Sequence, residues 1–297
     1  MKDKIATPKI TKKILKKYDI NLKKKLGQNL LIDQNILDKI IEAADLSAKD
    51  TVVEIGSGIG SLTEKILDTV NRGKVIGIEK DERFIKILKD LFSKYNNLLL
   101  INKDVRDIDW SDFFKTKNIN FDRVKVMGNL PYYISTPVIM NLLETNFIFS
   151  SLTFMIQKEV ARRMTASPGT KDYGLLSVAV QFYSKPEIFH EVPPTVFLPQ
   201  PEVYSSIITL EPFKEIPYEA ENQDYFFKVV KAIFQLRRKN IKNSIVKGSI
   251  LSIKKEIVKK ALQKCGISPK IRGENLSIEE MVSLSNILYN MKKERSD

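Results

Sequence analysis

The sequence predicts an α/β protein with a doubly wound, mostly parallel sheet, followed by a small all-helical domain. Short apolar segments alternate with amphipathic ones from about residue 33 to residue 157, which is the pattern of such a sheet. A glycine-rich loop at residues 56–60 joins the first strand of this series to a helix. Beyond about residue 217 the apolar residues recur only at helical spacing. We therefore expect a basic N-terminal extension at 1–25, an α/β domain at 26–216 and a helical domain at 217–297.

The elements of the α/β domain follow in order along the chain. The series opens with a helix, because apolar residues recur at helical spacing from Ile36 to Ala44 and Asp33 is a suitable N-cap. Strands are predicted at residues 51–55, 74–79, 98–101, 124–127 and 152–157. Helices are predicted over about 61–70 and 82–95, and from Ser135 or Thr136. Residues 186–212 indicate an antiparallel hairpin around a proline-rich turn, which would close the sheet.

The composition excludes several kinds of catalytic and metal site. The chain has 297 residues, of which 43% are hydrophobic, so it can bury a core of ordinary size. A single cysteine, Cys265, and a single histidine, His190, exclude a disulfide framework and a Cys/His zinc cluster. They also leave little room for a Ser-His-Asp triad. We therefore expect no metal, and chemistry carried by carboxylate, amide, aromatic and backbone groups.

The positive charge is concentrated at the two ends of the chain, whose formal net charge is +13. Residues 1–25 hold ten lysines against two aspartates, and residues 217–297 hold 17 basic against nine acidic residues. Residues 26–216 are nearly neutral, so the two basic ends indicate a polyanionic partner, nucleic acid rather than a membrane surface. Because the chain has neither a long apolar stretch nor a secretory signal, we expect a cytoplasmic protein, and a monomer.

The glycine-rich loop indicates a nucleotide-like cofactor. It lies between a strand and a helix, and a dinucleotide fingerprint would need a glycine where Ser61 stands, so the spacing favours S-adenosylmethionine (SAM). Glu79 and Asp104 come at the ends of the next two strands, where they can bind the ribose hydroxyls and the adenine amino group. A tight turn is the alternative for the loop alone, but three sites at successive strand ends favour SAM. The candidate cofactor ligands from this pattern are Gly56, Gly58, Glu79 and Asp104.

The tetrapeptide Asn129-Leu130-Pro131-Tyr132 indicates methyl transfer to an aromatic amine. Such an amine is a poor nucleophile because its lone pair is delocalised into the ring, and two acceptors aimed at its hydrogens would localise that pair. The Asn129 side-chain oxygen and the Leu130 carbonyl can be those acceptors, since Pro131 has no N–H to compete. Tyr132 can stack on a flipped base. The alternative, a turn that starts a helix, explains the proline but not the whole tetrapeptide.

Together these motifs resemble the ribosomal RNA adenine N6,N6-dimethyltransferases, and within them the bacterial branch that acts on the small subunit. The likeness runs from Ile5 to about Leu288 and includes the segments 25–31, 129–136, 197–201, 235–239 and 272–277. The resemblance implies a Rossmann-like SAM-dependent methyltransferase fold. It also implies dimethylation of N6 of two adjacent adenosines in the 3′-terminal hairpin of 16S rRNA, in a 30S precursor particle during ribosome biogenesis.

The resemblance also assigns roles that spacing alone does not. It implies that Asn29 and Leu31, with Gln28 in the same segment, lie over the cofactor, and that the asparagine of the tetrapeptide completes the cofactor site. It further implies that Phe197 approaches the target base from the side opposite Tyr132.

Three positions depart from the usual pattern of the family. Leu30 stands where phenylalanine is typical, which keeps apolar bulk but loses an aromatic face. Glu202 and Tyr204 stand where lysine and aspartate are typical. Glu202 reverses a charge near the substrate side. The RNA contacts of the family therefore transfer least well to the loop that contains Glu202 and Tyr204.

Two basic clusters are candidates for contacts with RNA phosphates. They are Lys23, Lys24 and Lys25 before the cofactor motif, and Arg237, Arg238, Lys239 and Lys242 in the helical domain. At helical spacing Arg238 and Lys242 would share one face. A solvated helix surface is the alternative for either cluster alone, but two clusters that flank an adenine site favour phosphate contacts.

Two other functions stay open at this point. A 23S rRNA adenine N6-methyltransferase of the macrolide-resistance type shares most of the cofactor motifs, although Gly27, residues 130–133 and residues 237–239 favour the small-subunit branch. A non-catalytic rRNA-binding assembly factor would not need the intact set of Glu79, Asp104 and Asn129.

Overall fold

The chain folds into two compact units. The computed structural model describes residues 4–22, 27–117, 124–145, 149–236 and 238–294. The α/β unit comprises the chain as far as Ala161 together with Ser184–Pro212, and the helical unit comprises Arg162–Tyr183 and the chain from Phe213 onward. This division differs from the expected single boundary between residues 216 and 217. The reason is that Tyr173, Val178 and Phe182 belong to the apolar core of the helical unit.

A seven-stranded sheet forms the centre of the α/β unit. The strands of the chain are β1 (Leu30–Leu31), β2 (Thr51–Ile55), β3 (Lys74–Glu79), β4 (Leu98–Asn102), β5 (Val124–Asn129), β6 (Ser151–Gln157), β7 (Ser184–Val192), β8 (Phe197–Leu198) and β9 (Ser205–Pro212). The sheet has the order β4-β3-β2-β5-β6-β9-β7, while β1 and β8 form a separate antiparallel pair. Strands β2 to β6 are parallel, and β9 is antiparallel to both β6 and β7. The predicted α/β fold with its closing hairpin is therefore confirmed.

The helices confirm most of the predicted elements. They are α1 (Pro8–Lys17), α2 (Gln34–Ala43), α3 (Ser61–Thr69), α4 (Glu82–Leu91), α5 (Trp110–Lys117), α6 (Ser135–Glu144), α7 (Lys158–Thr165), α8 (Leu175–Tyr183), α9 (Gln223–Gln235), α10 (Ile241–Lys247), α11 (Lys255–Lys264) and α12 (Ile278–Lys293). Asp33 caps α2 as predicted, since its carboxylate accepts from the Ile36 N–H at 3.1 Å. Helices α1, α5, α7 and α8 were not predicted. None of the helices in the described ranges is long and apolar enough to cross a membrane.

The order of the strands places a crevice between β2 and β5. From β2 the chain moves outward through β3 and β4 and then returns to β5 on the other side of β2. The central strands are rich in β-branched residues because they are buried on both faces; Val52, Val53, Val75 and Ile76 are fully buried. Ligands of such sheets bind outside the carboxyl ends of the strands at the point where the order reverses.

The helical unit has its own apolar core. Phe182 of α8 stacks on Phe226 of α9, with ring centroids 4.9 Å apart. Helix α12 begins at a capping box, in which the Ser277 hydroxyl and the Glu280 side chain each bind the backbone N–H of the other residue. The amphipathic periodicity that predicted helices beyond residue 217 is confirmed by these packed faces.

Candidate active site

A cavity of about 400 Å³ lies at the carboxyl ends of β2, β3, β4 and β5. Its volume is in the usual range for a small-molecule site. Nine of the residues predicted to bind cofactor or substrate line it: Gln28, Asn29, Leu31, Gly56, Gly58, Glu79, Asp104, Asn129 and Pro131. Segments that are up to a hundred residues apart in the sequence therefore meet where the strand order predicts a ligand site.

The glycine-rich loop presents bare backbone to this cavity and holds one unpaired hydroxyl beside it. Gly56 and Gly58 have φ angles of +77° and +53°, values that residues with a side chain rarely adopt. Ser57 and Ser61 also line the cavity, and the buried Ser61 hydroxyl has no hydrogen-bond partner in the described part of the chain. Since buried polar groups are normally hydrogen-bonded, the loop is suited to a polar ligand.

Glu79 ends β3 with its carboxylate fixed by the backbone. Oε2 accepts from the Gly58 N–H at 2.9 Å, and Oε1 accepts from the Asp81 N–H at 2.8 Å. Burial of the side chain raises the pKa of Glu79. Each carboxylate oxygen has a further acceptor position, so Glu79 can still bind the hydroxyl groups of a ligand.

Glu54 ties the end of β2 to the first turn of α3. Its side chain is fully enclosed, and Oε2 accepts from the Thr63 hydroxyl at 2.5 Å. Burial raises the pKa of Glu54 to about 7. The glycine-rich loop connects these two elements, so the Glu54–Thr63 hydrogen bond holds the two ends of the loop together.

Asp104 carries a permanent negative charge at the edge of the cavity. Arg106 and Lys80 form ion pairs with its Oδ2 at 2.6 and 2.9 Å. The Arg106 guanidinium holds the pKa of Asp104 well below its usual range. An ionised carboxylate accepts hydrogen bonds only, which is what an amino group of a ligand requires. Arg106 and Lys80 already donate four hydrogen bonds to the two oxygens, so the ligand would take the place of one of them.

The segment before β1 is held against the strand ends by hydrogen bonds from both sides. The Gln28 side chain donates to the Asp81 carboxylate at 3.2 Å. The Asn129 side-chain N–H donates to the Asn29 carbonyl at 2.9 Å. Gly27 has a φ of +61°, and a Cβ at this position would lie 3.3 Å from the Pro131 Cβ. Glycine at position 27 therefore allows the segment to pass close to the tetrapeptide.

The amide of Asn129 is oriented so that its oxygen remains available. Asn129 is the last residue of β5, two residues beyond the predicted end of that strand. Because Nδ2 donates to Asn29, Oδ1 is the free end of the amide, and no donor among the described residues reaches it. The next peptide is fixed as well, since the Leu130 N–H donates to the Met155 carbonyl at 3.1 Å.

Two aromatic residues predicted to contact the base lie outside the cavity lining. Tyr132 is half-buried, and its hydroxyl is 2.8 Å from the Ser205 hydroxyl, with which it is hydrogen-bonded. Phe197 is only 3% exposed, because β8 pairs with β1 and places Phe197 opposite Leu31. In this structure the Phe197 ring is part of the apolar core and offers no face to a base, which differs from the expectation.

The chain is similar to one family of proteins along nearly its whole length. Residues 19–290 match the family described as ribosomal RNA adenine dimethylase. The ribosomal RNA small subunit methyltransferase A of Halothermothrix orenii is 55% identical over 285 residues, which cover 96% of this chain and 94% of that protein. The chain belongs to the ribosomal RNA adenine dimethylase family.

Further relatives agree with this membership of the dimethylase family. The protein of the same name from Clostridioides difficile is 43% identical, with 96% of this chain and 97% of that protein covered. A dimethyladenosine transferase from Plasmodium falciparum has a TM-score of 0.71 and 28% identity, covering 90% of this chain and 98% of that one. The 23S rRNA methyltransferase ErmE has a TM-score of 0.66 and 25% identity, and the match covers 88% of this chain and 100% of that one. The fold of this dimethylase is thus a Rossmann-like methyltransferase fold.

The cavity of this dimethylase fits SAM, the cofactor on which the family depends. The bare backbone at Gly56 and Gly58 allows a ligand to approach closely, and the unpaired Ser61 hydroxyl can bind one of its polar groups. The fixed carboxylate of Glu79 matches a pair of ribose hydroxyls. The described residues contain no group of three or more His, Cys, Asp or Glu side chains that could hold a metal ion.

Among the residues at the cavity that were missed in the sequence are two cations beside Asp104 and an exposed tyrosine. Lys80, Arg106 and Tyr133 all line it, and Tyr133 is 59% exposed. Each lies one or two residues after a predicted ligand, and consecutive residues at a strand end all meet the same sheet edge. That proximity was the signal that could have identified them.

The basic clusters are only partly described by the structure. Lys23, Lys24, Lys25 and Arg237 lie outside the described residues. Arg238 and Lys239 are exposed and Lys242 is half-buried. The prediction that Arg238 and Lys242 share a helix face is wrong, because α9 ends at Gln235 and α10 begins only at Ile241, after the N-cap Asn240.

Proposed function

We propose that this chain dimethylates N6 of two adjacent adenosines in the 3′-terminal hairpin of 16S rRNA, with SAM as the methyl donor. It acts in the cytoplasm as a monomer, on a 30S precursor particle. The observation that carries the proposal is the free Oδ1 of Asn129, which lies at the same cavity as Glu79 and Asp104. The names of the relatives from Halothermothrix orenii and Clostridioides difficile, which refer to the small subunit, support 16S rRNA as the substrate.

We assign the cofactor to residues whose side chains are held in place by contacts within the chain. When it is bound, SAM supplies an electrophilic methyl group, and S-adenosylhomocysteine is the product that leaves. The Glu79 carboxylate accepts from the ribose hydroxyls, and the ionised Asp104 accepts from the adenine amino group. The other residues proposed to hold SAM are Gln28, Asn29, Leu31, Gly56, Gly58 and Asn129.

The tetrapeptide activates the target amine by accepting hydrogen bonds from its N–H groups. Asn129 Oδ1 and the Leu130 carbonyl accept from the two N–H groups, which favours a pyramidal nitrogen with a localised lone pair. Pro131 has no N–H to compete for these acceptors, and the Tyr132 ring stacks on the adenine. The methylated nitrogen is acidic enough to lose its proton to water, so no strong base is required. Catalysis is then mainly positioning and hydrogen bonding.

The remaining predicted residues act around this centre. We assign to Phe197 the role of packing beside Leu31, since the two residues are opposite each other in the β1–β8 pair. RNA phosphates are contacted by the basic clusters, which are Lys23, Lys24, Lys25, Arg237, Arg238, Lys239 and Lys242. Such contacts would give binding to the particle a marked salt dependence.

A second candidate is methylation of 23S rRNA, which the likeness to ErmE favours. The two substrates are separated by incubating the enzyme with labelled SAM and either 30S or 50S particles that lack the modification. We expect label in 16S rRNA only, and label in 23S rRNA alone would overturn the assignment. Calorimetric titration with SAM tests the third possibility, because a non-catalytic assembly factor would show no binding.

A further inference from the structure

An exposed tyrosine beside the active site has no part in the function proposed so far. Tyr204 is 51% exposed and directly precedes β9. We propose that Tyr204 is a stacking platform for a base of the rRNA that neighbours the target adenosine. This inference rests on the proposed function, because it concerns the same substrate at the same site.

The position of Tyr204 follows from the register of the sheet. Asn129 of β5 pairs with Met155 of β6, and Ser205 of β9 pairs with Gln157 of β6. Tyr204 therefore lies at the carboxyl edge of the parallel strands, two strand spacings or roughly 10 Å across the sheet from Asn129 and three residues, again roughly 10 Å, further along the strand direction. The next residue, Ser205, binds the hydroxyl of Tyr132, the residue that we propose to hold the target base.

The ring of Tyr204 is held in place from one side. The Lys158 ammonium lies over the ring, 5.4 Å from its centroid, and the Lys158 backbone N–H donates to the Tyr204 carbonyl at 3.0 Å. Glu191 in turn fixes the ammonium through an ion pair of 2.7 Å. One face of the ring is thus occupied by a cation that is itself anchored. Because Tyr204 is 51% exposed, we infer that the opposite face is open to solvent.

The charges around Tyr204 favour a base rather than a phosphate as its ligand. Glu202 is exposed two residues before it, and the charge of Lys158 is compensated by Glu191. These carboxylates would repel a phosphate, whereas the face of a base carries no net charge. Single-stranded RNA is commonly held by bases stacked on tyrosine or phenylalanine rings. An aromatic ring at position 204, where the family typically has aspartate, therefore adds a contact of this kind.

Equilibrium binding of the full-length protein to 30S particles that lack the modification tests the platform. Tyr204→Leu keeps apolar bulk but has no aromatic face, so we expect its Kd for the particles to rise about 5- to 100-fold, the usual contribution of one stacked base. Tyr204→Phe and Tyr204→Trp keep the face and should bind like the wild type or more tightly. Phe189→Leu, which changes another exposed aromatic of the same unit, should leave the Kd unchanged.

The affinity for SAM and the rate at saturating 30S separate stacking from a structural role. Both should stay within about twofold of wild type in Tyr204→Leu. An unchanged Kd for 30S in Tyr204→Leu overturns the inference, and so does an equal loss in Tyr204→Phe, which would implicate the hydroxyl. A loss of SAM affinity in Tyr204→Leu would also overturn it, by showing a role in folding of the site. If wild-type protein fails to methylate 16S rRNA, the proposed function itself fails.

A spectroscopic signal reports the stacking directly. The natural Trp110 is buried, so an exposed tryptophan in Tyr204→Trp can be distinguished from it. Stacking on a base should quench the added emission when 30S particles are titrated, with Phe189→Trp as the unquenched control. Equal quenching in the two variants would contradict a platform at position 204.

Discussion

The cofactor side and the substrate side of the active site are built in different ways. On the cofactor side, Glu79 and Asp104 already have their hydrogen bonds and ion pairs within the chain. On the substrate side, Tyr204 is largely exposed, and Asn129 Oδ1 has no donor among the described residues. The acceptors of the first side are fixed before a ligand binds, whereas the second presents exposed groups whose partners, we propose, are on the RNA.

This difference shows where binding specificity comes from in each half. A small cofactor is recognised by fixed acceptors in a cavity, so its affinity depends on single hydrogen bonds. A large RNA is recognised by open aromatic faces and by charge spread over distant clusters, so each contact contributes a smaller share. Variants in the two halves should therefore fail in different ways.

The largest expected effect comes from the residue at which the two sides meet. Asn129→Ala should lower the rate of methyl transfer by roughly 10²–10³-fold, because one acceptor in the transition state is lost. Single-turnover transfer to 30S at saturating SAM measures this rate. SAM affinity, measured by calorimetry, should fall by about tenfold at most, the value of the single hydrogen bond to Asn29. A rate near that of wild type would show that Asn129 does not act as the acceptor.

The cofactor side should respond to pH through Glu54. Its pKa is about 7 when folded instead of the usual 4.5, so the folded state binds more protons between these values. The free energy of unfolding therefore falls as the pH rises from 4.5 to about 7, by roughly 3 kcal/mol at most, and it stays low at higher pH. Glu54→Gln keeps an acceptor for Thr63 but cannot ionise, and should lose this dependence.

Urea unfolding of both proteins at pH 5 and pH 8, without SAM, measures the effect of Glu54. We expect the free energy of unfolding of Glu54→Gln to rise relative to wild type between the two pH values. A difference that is constant across this range would contradict the elevated pKa of Glu54.

A third variant tests whether the fixed acceptors bind the cofactor. Glu79→Ala removes a charged acceptor, and we expect its Kd for SAM to rise about 10- to 100-fold. Calorimetric titration gives the Kd, with Glu42→Ala as an exposed control on α2 that should match wild type. Wild-type affinity in Glu79→Ala would contradict the assignment of the ribose site to this residue.

The smallest effect is expected for single phosphate contacts on the substrate side. Lys239→Gln should weaken 30S binding a few-fold and lower the slope of log affinity against log salt by roughly 0.7. Binding measured at several salt concentrations gives this slope, and Lys260→Gln on α11 serves as a control with an unchanged slope. If both variants leave the slope unchanged, the cluster around Lys239 does not contact phosphates.

Local motifs predicted the cofactor side well. The strands that carry Glu54 and Glu79 have the predicted bounds, and Asp33 caps α2 as expected. These features depend on residues close in sequence, such as a run of β-branched residues before a glycine loop or a carboxylate before an apolar stripe. The fold class followed from them because alternating strands and helices have few ways to pack.

The substrate side was harder to predict because it depends on contacts between distant residues. Phe197 is buried because β8 pairs with Leu30 and Leu31, more than 160 residues earlier, and no local pattern indicates this pairing. The turn between α9 and α10 likewise separates Arg238 from Lys242, although their spacing fits a single helix. Exposure of Tyr133 and Tyr204 could not be predicted either, since it depends on what packs around each ring.

The most direct test of the account is the position of the methyl groups in the RNA. The protein is incubated with SAM and 30S particles that lack the modification, and the 16S rRNA is digested and analysed by mass spectrometry. We predict two adjacent N6,N6-dimethyladenosines in the 3′-terminal hairpin with wild type, and neither with Asn129→Ala over the same time. Unmodified adenosines in that hairpin with wild type, while SAM binding is intact, would contradict the account.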